Sequence, residues 1–179
     1  MEQIGESDRL IYEKLIESHA AEMTDLLCDP RVYEFVDEGI APTPEHLVRA
    51  FRFREAGPPE HRNTERWLDV VVRLKSTKEP IGRIESTVVE NRAEVAYQLG
   101  ADYWRQGFGS ESLTWLEGRT RDKYAVTEFW ATVTPGNIAS RGLLLKHAYT
   151  DVSDGEFPAL KSYNDNDWVF FKAAHESQL

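Results

Sequence analysis

Hydrophobic residues follow different spacings on the two sides of Gly57-Pro58-Pro59. Beyond this triplet, apolar side chains at Leu68, Val70, Val72 and Leu74 alternate with other residues. Alternation with a period of two predicts a strand. Before the triplet, one short strand is followed by segments that favour helices. Because glycine and proline interrupt regular structure, the triplet predicts a boundary between a helical lobe and a sheet-rich remainder.

The same patterns predict six strands and four helices along the chain. The first helix ends before Asp29-Pro30, since the residue before proline is forced out of the helical region. The second begins near Thr43, with proline in its first turn. The strands are predicted at 8–13, 67–74, 81–89, 93–99, 125–133 and 168–171, and the helices at 17–28, 43–54, 108–121 and 138–146. This order predicts a mixed α/β sheet covered by helices, not a strictly alternating doubly wound fold.

The length of 179 residues predicts one domain over residues 1–179 with a substantial core. Within it, residues 7–60 are expected to form a first strand and a helical lobe. Residues 66–174 are expected to form the sheet-rich core. We expect a monomer or a homodimer.

The net charge of the chain limits which partners the protein is expected to bind. Thirty-one acidic residues against 21 basic ones give a net charge of −10. Such a surface repels the phosphates of nucleic acids and anionic membranes, so neither is expected as a partner. A cationic substrate is weakly favoured by electrostatic steering. Improved solubility is the simpler explanation of the same excess.

The cellular location is predicted to be the cytoplasm. No apolar run approaches the ~18 residues that span a bilayer, and the N-terminus has no signal-peptide pattern. Cys28 is the only cysteine, which excludes an internal disulfide and favours a reducing compartment.

A glycine-containing loop lies between a predicted strand and a predicted helix, at 103–111 (YWRQGFGSE). Glycine allows close backbone approach to a ligand, and the free N–H groups of a helix start favour phosphate. A dinucleotide-binding turn would need a third glycine where Ser112 stands, together with crossovers that the preceding meander lacks. A Walker A loop would need Gly-Lys-Ser/Thr, which is missing. A simple tight turn explains the glycines but not a second helix start at Asn137.

Two motifs together resemble a known family. Residues 94–99 (EVAYQL) followed by 103–111 resemble the acetyl-CoA-binding motif of the GNAT superfamily of N-acetyltransferases. The Tyr-Trp-x-x-Gly form resembles the branch that contains bacterial ribosomal-protein N-terminal (alanine/serine) acetyltransferases. Residues 137–149 (NIASRGLLLKHAY) are similar to the second motif of that branch. Leu144 stands where many superfamily members carry a tyrosine proposed as general acid, so that mechanism does not transfer.

The resemblance implies a fold and an activity. The fold would be a mixed, mostly antiparallel sheet of six to seven strands flanked by helices. Residues 7–60 would contain the substrate-side lobe. The activity would be transfer of an acetyl group from acetyl-CoA to a primary amine by direct attack on the thioester. The acceptor would be a protein N-terminus or a small-molecule amine. A non-catalytic acyl-CoA-binding sensor is the alternative.

The resemblance also implies the residues that bind acetyl-CoA. Backbone N–H groups of the loop would bind the pyrophosphate, and the backbone near the end of the preceding strand would pair with the pantetheine amides. The residues implied are Leu99, Ala101, Trp104, Arg105, Gln106, Gly107, Phe108, Gly109, Ser110 and Asn137. Asn137 is equally well explained as a helix N-cap.

The catalytic candidates are a hydroxyl and a carboxylate. Ser140 is the family-matched general acid, with helix capping as the other explanation. Glu94 is the first candidate for the base, because a carboxylate on a central strand can act through an ordered water. Glu85 and Glu156 are the alternatives.

Other candidate residues favour ordinary structural roles. The five histidines (His19, His46, His61, His147 and His175) show no metal-ligand spacing, so no metal is expected. Cys28 is expected to be buried by packing and not to act as a nucleophile. Four aromatic residues of the helical lobe could line an acceptor pocket or pack in the core: Tyr33, Phe35, Phe51 and Phe53.

Overall fold

The computed structural model describes residues 1–36 and 39–174. Its strands are β1 (Gln3–Glu6), β2 (Leu10–Lys14), β3 (Glu65–Leu74), β4 (Pro80–Val89), β5 (Arg92–Leu99), β6 (Glu128–Val133), β7 (Thr150–Asp151) and β8 (Trp168–Ala173). Its α-helices are α1 (His19–Glu22), α2 (Thr24–Leu27), α3 (Pro44–Ala56), α4 (Phe108–Tyr124) and α5 (Ile138–Lys146).

The strands form one sheet in the order β1-β2-β3-β4-β5-β6-β8-β7. Neighbouring strands are antiparallel except β5 and β6, which run parallel. The predicted mixed, mostly antiparallel sheet is confirmed, with eight strands in the described residues instead of six to seven. The strands that the sequence did not predict, β1 and β7, are four and two residues long and lie at the sheet edges. Strands this short carry almost no periodic signal.

The helices lie on both faces of the sheet. Leu113 and Leu116 of α4 are fully buried in the main core, together with Phe170 of β8. On the opposite face, Phe51 of α3 and Met23 are fully buried in a second cluster. The predicted helix at 17–28 is two short helices that meet at Met23, and the second ends before Asp29-Pro30 as expected.

The most important feature for function is the separation of β5 from β6. Their parallel pairing covers only Arg92↔Glu128, Ala93↔Phe129 and Glu94↔Trp130. Beyond these pairs, β5 continues to Leu99 and β6 to Val133 without further pairing to each other. Strands that diverge leave main-chain polar groups available to another partner. A cleft therefore opens near the middle of the sheet.

Gly82 keeps β4 close to the cleft-lining end of β5. An added Cβ at Gly82 would lie 2.4 Å from the Gln98 carbonyl oxygen and 2.8 Å from the Leu99 Cα. Both atoms belong to the backbone, so they cannot rotate away. Only glycine fits this approach.

Candidate active site

The glycine loop follows the end of β5 and begins α4 with an uncapped helix N-terminus. Arg105 and Gly107 have positive φ angles of 59° and 82°, and this turn lets α4 begin at Phe108. No side chain caps the start of α4 within the described part of the chain. The first main-chain bond runs from the Glu111 N–H to the Gly107 carbonyl. The preceding N–H groups therefore have no partner within the helix and favour an anion.

Side chains within the loop tie it to the end of β5. The Trp104 indole N–H donates to the Leu99 carbonyl at 2.8 Å. The Gln106 amide donates to the Asp102 carbonyl at 2.8 Å, across the short 3₁₀ turn Ala101–Tyr103. Trp104 and Gln106 thus hold the loop from within. Their direct contact with acetyl-CoA, and that of Leu99 and Ala101, stays a prediction.

Arg9 supports the same loop from the turn between β1 and β2. Its guanidinium donates to the Gln106 carbonyl at 2.9 Å and to the Glu111 carboxylate at 2.8 Å. It also lies over the Phe108 ring, 4.4 Å from the centroid, which is cation–π geometry. Arg9 could not be predicted from the sequence as a partner of the loop, because it lies about a hundred residues away and belongs to no motif.

The second predicted helix start adjoins the first. The Asn137 side chain accepts the Ser140 N–H at 3.0 Å, so the predicted N-cap is confirmed. An added Cβ at Gly109 would lie 3.4 Å from Leu143, which places the first turn of α4 against α5. The Ser110 hydroxyl lies 2.6 Å from the His147 ring nitrogen. Burial lowers the pKa of His147.

The Ser140 hydroxyl does not cap its helix. Its oxygen lies 2.8 Å from the Tyr97 hydroxyl, which belongs to β5 on the other side of the cleft. Burial raises the pKa of Tyr97 to about 12. Leu144, at the position of the tyrosine found in many superfamily members, is fully buried in the core.

The cleft has a volume of about 440 Å³ and brings several predicted residues together. Its walls include residues 95–98 of β5, residues 131–133 of β6 with the following Thr134, and Asn137 and Ser140 at the N-cap and first turn of α5. Arg83 and Glu85 of β4 also line it. From the helical lobe, Phe35 contributes to the wall. Phe51 is buried in the core, Tyr33 is nearly buried, and Phe53 is half exposed beside the Trp67 ring.

The three candidate carboxylates have different surroundings. Glu94 accepts hydrogen bonds from the Lys161 N–H at 2.8 Å, the Ser162 N–H at 3.0 Å and the Ser162 hydroxyl at 2.9 Å. It therefore holds the segment before β8 in place. Glu156 lines a separate open hollow beside Trp130. Of the three, Glu85 is the carboxylate that lines the cleft.

Glu85 is paired with a second carboxyl group. Asp69 of β3 lies directly opposite it in the sheet register. Arg54 donates to Asp69 at 2.6 Å, and Arg83 donates to Glu85 at 3.1 Å. The Asp69 side chain is 7% exposed and the Glu85 side chain 24%. The pair is thus a buried carboxyl with a neighbour that reaches the cleft.

The two members of this pair titrate differently. Burial raises the pKa of Asp69 to about 6, and the charge of Glu85 adds to the effect. Burial also acts to raise the pKa of Glu85, but Arg83 and Arg54 outweigh it and hold this pKa below its ordinary value. Two interacting carboxyl groups bind protons as a unit. The pair therefore takes up a proton near pH 6, mainly at Asp69, which a lone exposed carboxyl group does not.

The raised pKa of Asp69 predicts how the free energy of unfolding depends on pH. Folded Asp69 keeps its proton up to about pH 6, whereas its ordinary pKa is 3.8. The folded state then binds more protons in this interval, so stability falls as pH rises. The lowered pKa of Glu85 has the opposite effect on stability, but only at pH values below its ordinary pKa of 4.5. Between pH 4.5 and 6, we expect the wild type to lose up to about 1.4 kcal/mol per pH unit relative to Asp69→Asn. Urea unfolding at several pH values measures this difference, and parallel curves would contradict it.

The histidines and the cysteine of the described residues have the following surroundings. No group of three or more His, Cys, Asp or Glu residues in the described ranges has an arrangement that could hold a metal ion. Buried His19 lies within hydrogen-bond distance of the Ile16 N–H and the Glu13 carboxylate. His175 lies outside the described residues. Cys28 is a free, partly buried thiol packed on the helical cluster, and burial raises its pKa.

The helices give no sign of a membrane span. Within residues 1–36 and 39–174, no helix combines the length and the apolar character that crossing a bilayer requires.

An uncapped helix start that follows one of two separating strands is an arrangement that suits a phosphate-bearing ligand. Residues 9–150 match a family model described as "Acetyltransferase (GNAT) domain". YoaA of Bacillus subtilis (strain 168), described as an uncharacterized N-acetyltransferase, is 26% identical over 149 residues, with 82% of each chain covered.

Solved structures share the fold. An acetyltransferase (GNAT family) from Bacillus anthracis has a TM-score of 0.73 at 17% identity, covering 94% of this chain and 96% of its own. RimL, a ribosomal L7/L12 alpha-N-protein acetyltransferase solved with coenzyme A, has a TM-score of 0.74 at 16% identity. The match covers 96% of this chain and 98% of the RimL chain. The microcin C7 self immunity acetyltransferase MccE, solved with acetyl-CoA and AMP, has a TM-score of 0.73 at 14% identity, and the match covers 94% of each chain.

This chain belongs to the GNAT family of acetyltransferases. It is an acetyl-CoA-dependent acetyltransferase.

Proposed function

We propose that this enzyme acetylates a primary amine, either the N-terminal α-amine of a protein or the amine of a small molecule. The observation that supports this most directly is the composition of the cleft between β5 and β6. The Ser140 hydroxyl and the Glu85 carboxylate both line this cleft, and the uncapped start of α4 packs against α5, the helix that carries Ser140. A hydroxyl donor and a carboxylate acceptor are the two groups that amide formation from an ammonium ion requires.

The loop residues fit the coenzyme. The unpartnered N–H groups from Gln106 to Ser110 would hold its pyrophosphate, with the positive charges of Arg9 and Arg105 nearby. The free main-chain edges of β5 and β6 would pair with its pantetheine amides. When bound, acetyl-CoA supplies an activated thioester.

The acceptor must lose a proton before it can react. A lysine-like amine with a pKa of about 10.4 is protonated at pH 7, and the neutral form costs roughly 4–5 kcal/mol. An α-amine near 7.7–8.0 costs only about 1 kcal/mol. We propose that the Asp69–Glu85 pair accepts this proton, through Glu85. Glu94, the base expected from the sequence, stays a prediction, and its three internal hydrogen bonds favour a structural role.

Ser140 is proposed as the hydrogen-bond donor that stabilises the leaving thiolate, which takes its proton from the solvent. We expect Ser140→Ala to lower kcat by about tenfold, because a thiol with an ordinary pKa near 8.5 leaves tolerably well without help. The Kd for acetyl-CoA should stay within twofold of wild type. Steady-state kinetics and calorimetry measure the two quantities, with Ser76→Ala in the exposed β3–β4 turn as the matched control. Unchanged turnover would remove Ser140 from the mechanism.

Two observations support the proposal that the acceptor is a protein N-terminus or a small cationic amine. RimL is described as acting on a protein α-amine, and the net charge of −10 favours a cationic acceptor. The test is release of coenzyme A with a panel of peptides with free N-termini, amino acids, polyamines and aminoglycosides. Turnover with one class identifies the acceptor. Tight acetyl-CoA binding without turnover on any amine would support the alternative, an acyl-CoA-binding sensor.

We propose that the enzyme works in the cytoplasm as a monomer or homodimer. The single cysteine and the acidic surface support a reducing compartment without nucleic-acid or membrane partners. Light scattering after size-exclusion chromatography distinguishes the monomer from the homodimer.

A further inference from the structure

Tyr97 lies where β5 has already separated from β6, and its side chain reaches across to α5. Its hydroxyl is 2.8 Å from the Ser140 hydroxyl and 3.4 Å from the Ser140 carbonyl oxygen. Both residues line the cleft. Asn137 caps the Ser140 N–H at 3.0 Å, so the backbone of Ser140 is fixed independently of Tyr97. The one group that Tyr97 can control is the serine side chain.

The chemistry of the Tyr97 and Ser140 hydroxyls indicates which of them donates the hydrogen bond. A phenol is the more acidic of the two and hence the better donor, whereas a serine hydroxyl both donates and accepts. Burial raises the pKa of Tyr97 to about 12, so its proton stays in place throughout the physiological range. A donated Tyr97 proton occupies one lone pair of the serine oxygen. The serine hydrogen is then directed elsewhere.

We propose that Tyr97 is a positioning residue that donates a hydrogen bond to the Ser140 oxygen and so aims the Ser140 hydrogen into the cleft between β5 and β6. This rests on the proposed function, because Ser140 is the donor that it serves. The Tyr97 proton is not transferred, and no bond to Tyr97 is made or broken. A hydroxyl that accepts one hydrogen bond becomes a stronger donor of the next, because chains of hydrogen bonds polarise one another.

The position of Tyr97 also explains how this chain works without a tyrosine at 144. Leu144 is fully buried, so this leucine packs in the core and supplies no proton donor. The phenol comes instead from the opposite wall and acts through serine. The sequence gives no sign of this pairing, because residues 97 and 140 meet only in the folded chain.

The kinetic test compares Tyr97→Phe, Ser140→Ala and the double variant. We expect Tyr97→Phe to lower kcat about fivefold while the KM and Kd for acetyl-CoA stay within twofold. The double variant should be no slower than Ser140→Ala, since both changes remove one function. Tyr124→Phe is the matched control. It loses a hydroxyl that donates to the Trp67 carbonyl at 3.3 Å, away from the cleft. Multiplying losses in the double variant would overturn the proposal.

A second measurement does not depend on turnover. In a Cys28→Ser background, Ser140→Cys places a thiol at this position, and the pH dependence of its alkylation gives its pKa. A hydrogen bond from Tyr97 stabilises the thiolate, so adding Tyr97→Phe should raise this pKa by about 1. An unchanged pKa would overturn the positioning role. Failure of the proposed function looks different, because the wild type would then acetylate no amine while the thiol pKa still responds to Tyr97→Phe.

Discussion

Replacing Glu85 with Gln is expected to lower kcat/KM for the amine acceptor by about 10²–10⁴ without changing the affinity for acetyl-CoA. The magnitude is that of removing a positioned proton acceptor. Glu85 lines the cleft and lies opposite Ala96 of β5, whereas the glycine loop begins after Leu99, where β5 ends. Glutamine keeps the shape and the hydrogen-bond capacity of the side chain but cannot take a proton near neutral pH. Initial rates at saturating acetyl-CoA, with the acceptor varied, give the loss.

The pH profile makes this expectation more specific. The Asp69–Glu85 pair takes up a proton as pH falls through about 6, so the wild-type rate should fall below that pH. Asp69→Asn leaves Glu85 beside two guanidinium groups without a second carboxyl, and the acid limb should move to lower pH. An unchanged acid limb would separate Asp69 from the proton transfer.

Glu94→Gln is the matched control, because Glu94 lies on the neighbouring strand and was the base expected from the sequence. Its carboxylate accepts two N–H groups and a hydroxyl, and an amide cannot accept all three in the same way. We expect about 1–3 kcal/mol lower stability and a smaller loss of rate. A larger loss of rate in Glu94→Gln than in Glu85→Gln, at equal folded fraction, would return Glu94 to the role of base.

Most of the fold could be predicted because its long elements have clear periods. The alternation from Leu68 to Leu74 lies within β3, and α5 begins and ends at the predicted residues 138 and 146. The errors lie where the periodic signal is short or interrupted. The edge strands β1 and β7 were not predicted, and the helix predicted at 17–28 is divided at Met23, whose φ is −100°.

The candidate site likewise contains residues whose positions could be predicted from the sequence and residues whose positions could not. The glycine loop and Asn137 are local motifs, so their positions at two helix starts could be predicted. Arg9, Asp69 and Tyr97 could not, since each acts through a partner distant in sequence. The register of β3 against β4 places Asp69 opposite Glu85, and no sequence period determines which two strands become neighbours. Local motifs thus indicate the proposed coenzyme end of the site, whereas the proposed acceptor end depends on tertiary contacts.

Gly107→Val is expected to raise the Kd for acetyl-CoA by about 100-fold. Gly107 has a φ of 82° and precedes the first residue of α4, and a side chain in this region costs about 1–2 kcal/mol. An added Cβ would also lie 3.3 Å from an Arg9 guanidinium nitrogen, displacing the group that holds the Gln106 carbonyl. The loop relieves this strain by turning its N–H groups away from the anion. Losing one or two hydrogen bonds to a charged group corresponds to this change in affinity.

Gly118→Val provides the matched control on the same helix. Nothing lies within 4 Å of an added Cβ at Gly118, and glycine inside a helix is unfavourable. We therefore expect equal or higher stability and an unchanged Kd, measured by calorimetry on both variants. If Gly107→Val binds acetyl-CoA as tightly as Gly118→Val does, the anion is not held by the start of α4. The arrangement proposed for the coenzyme would then be wrong, even though the chain still belongs to its family.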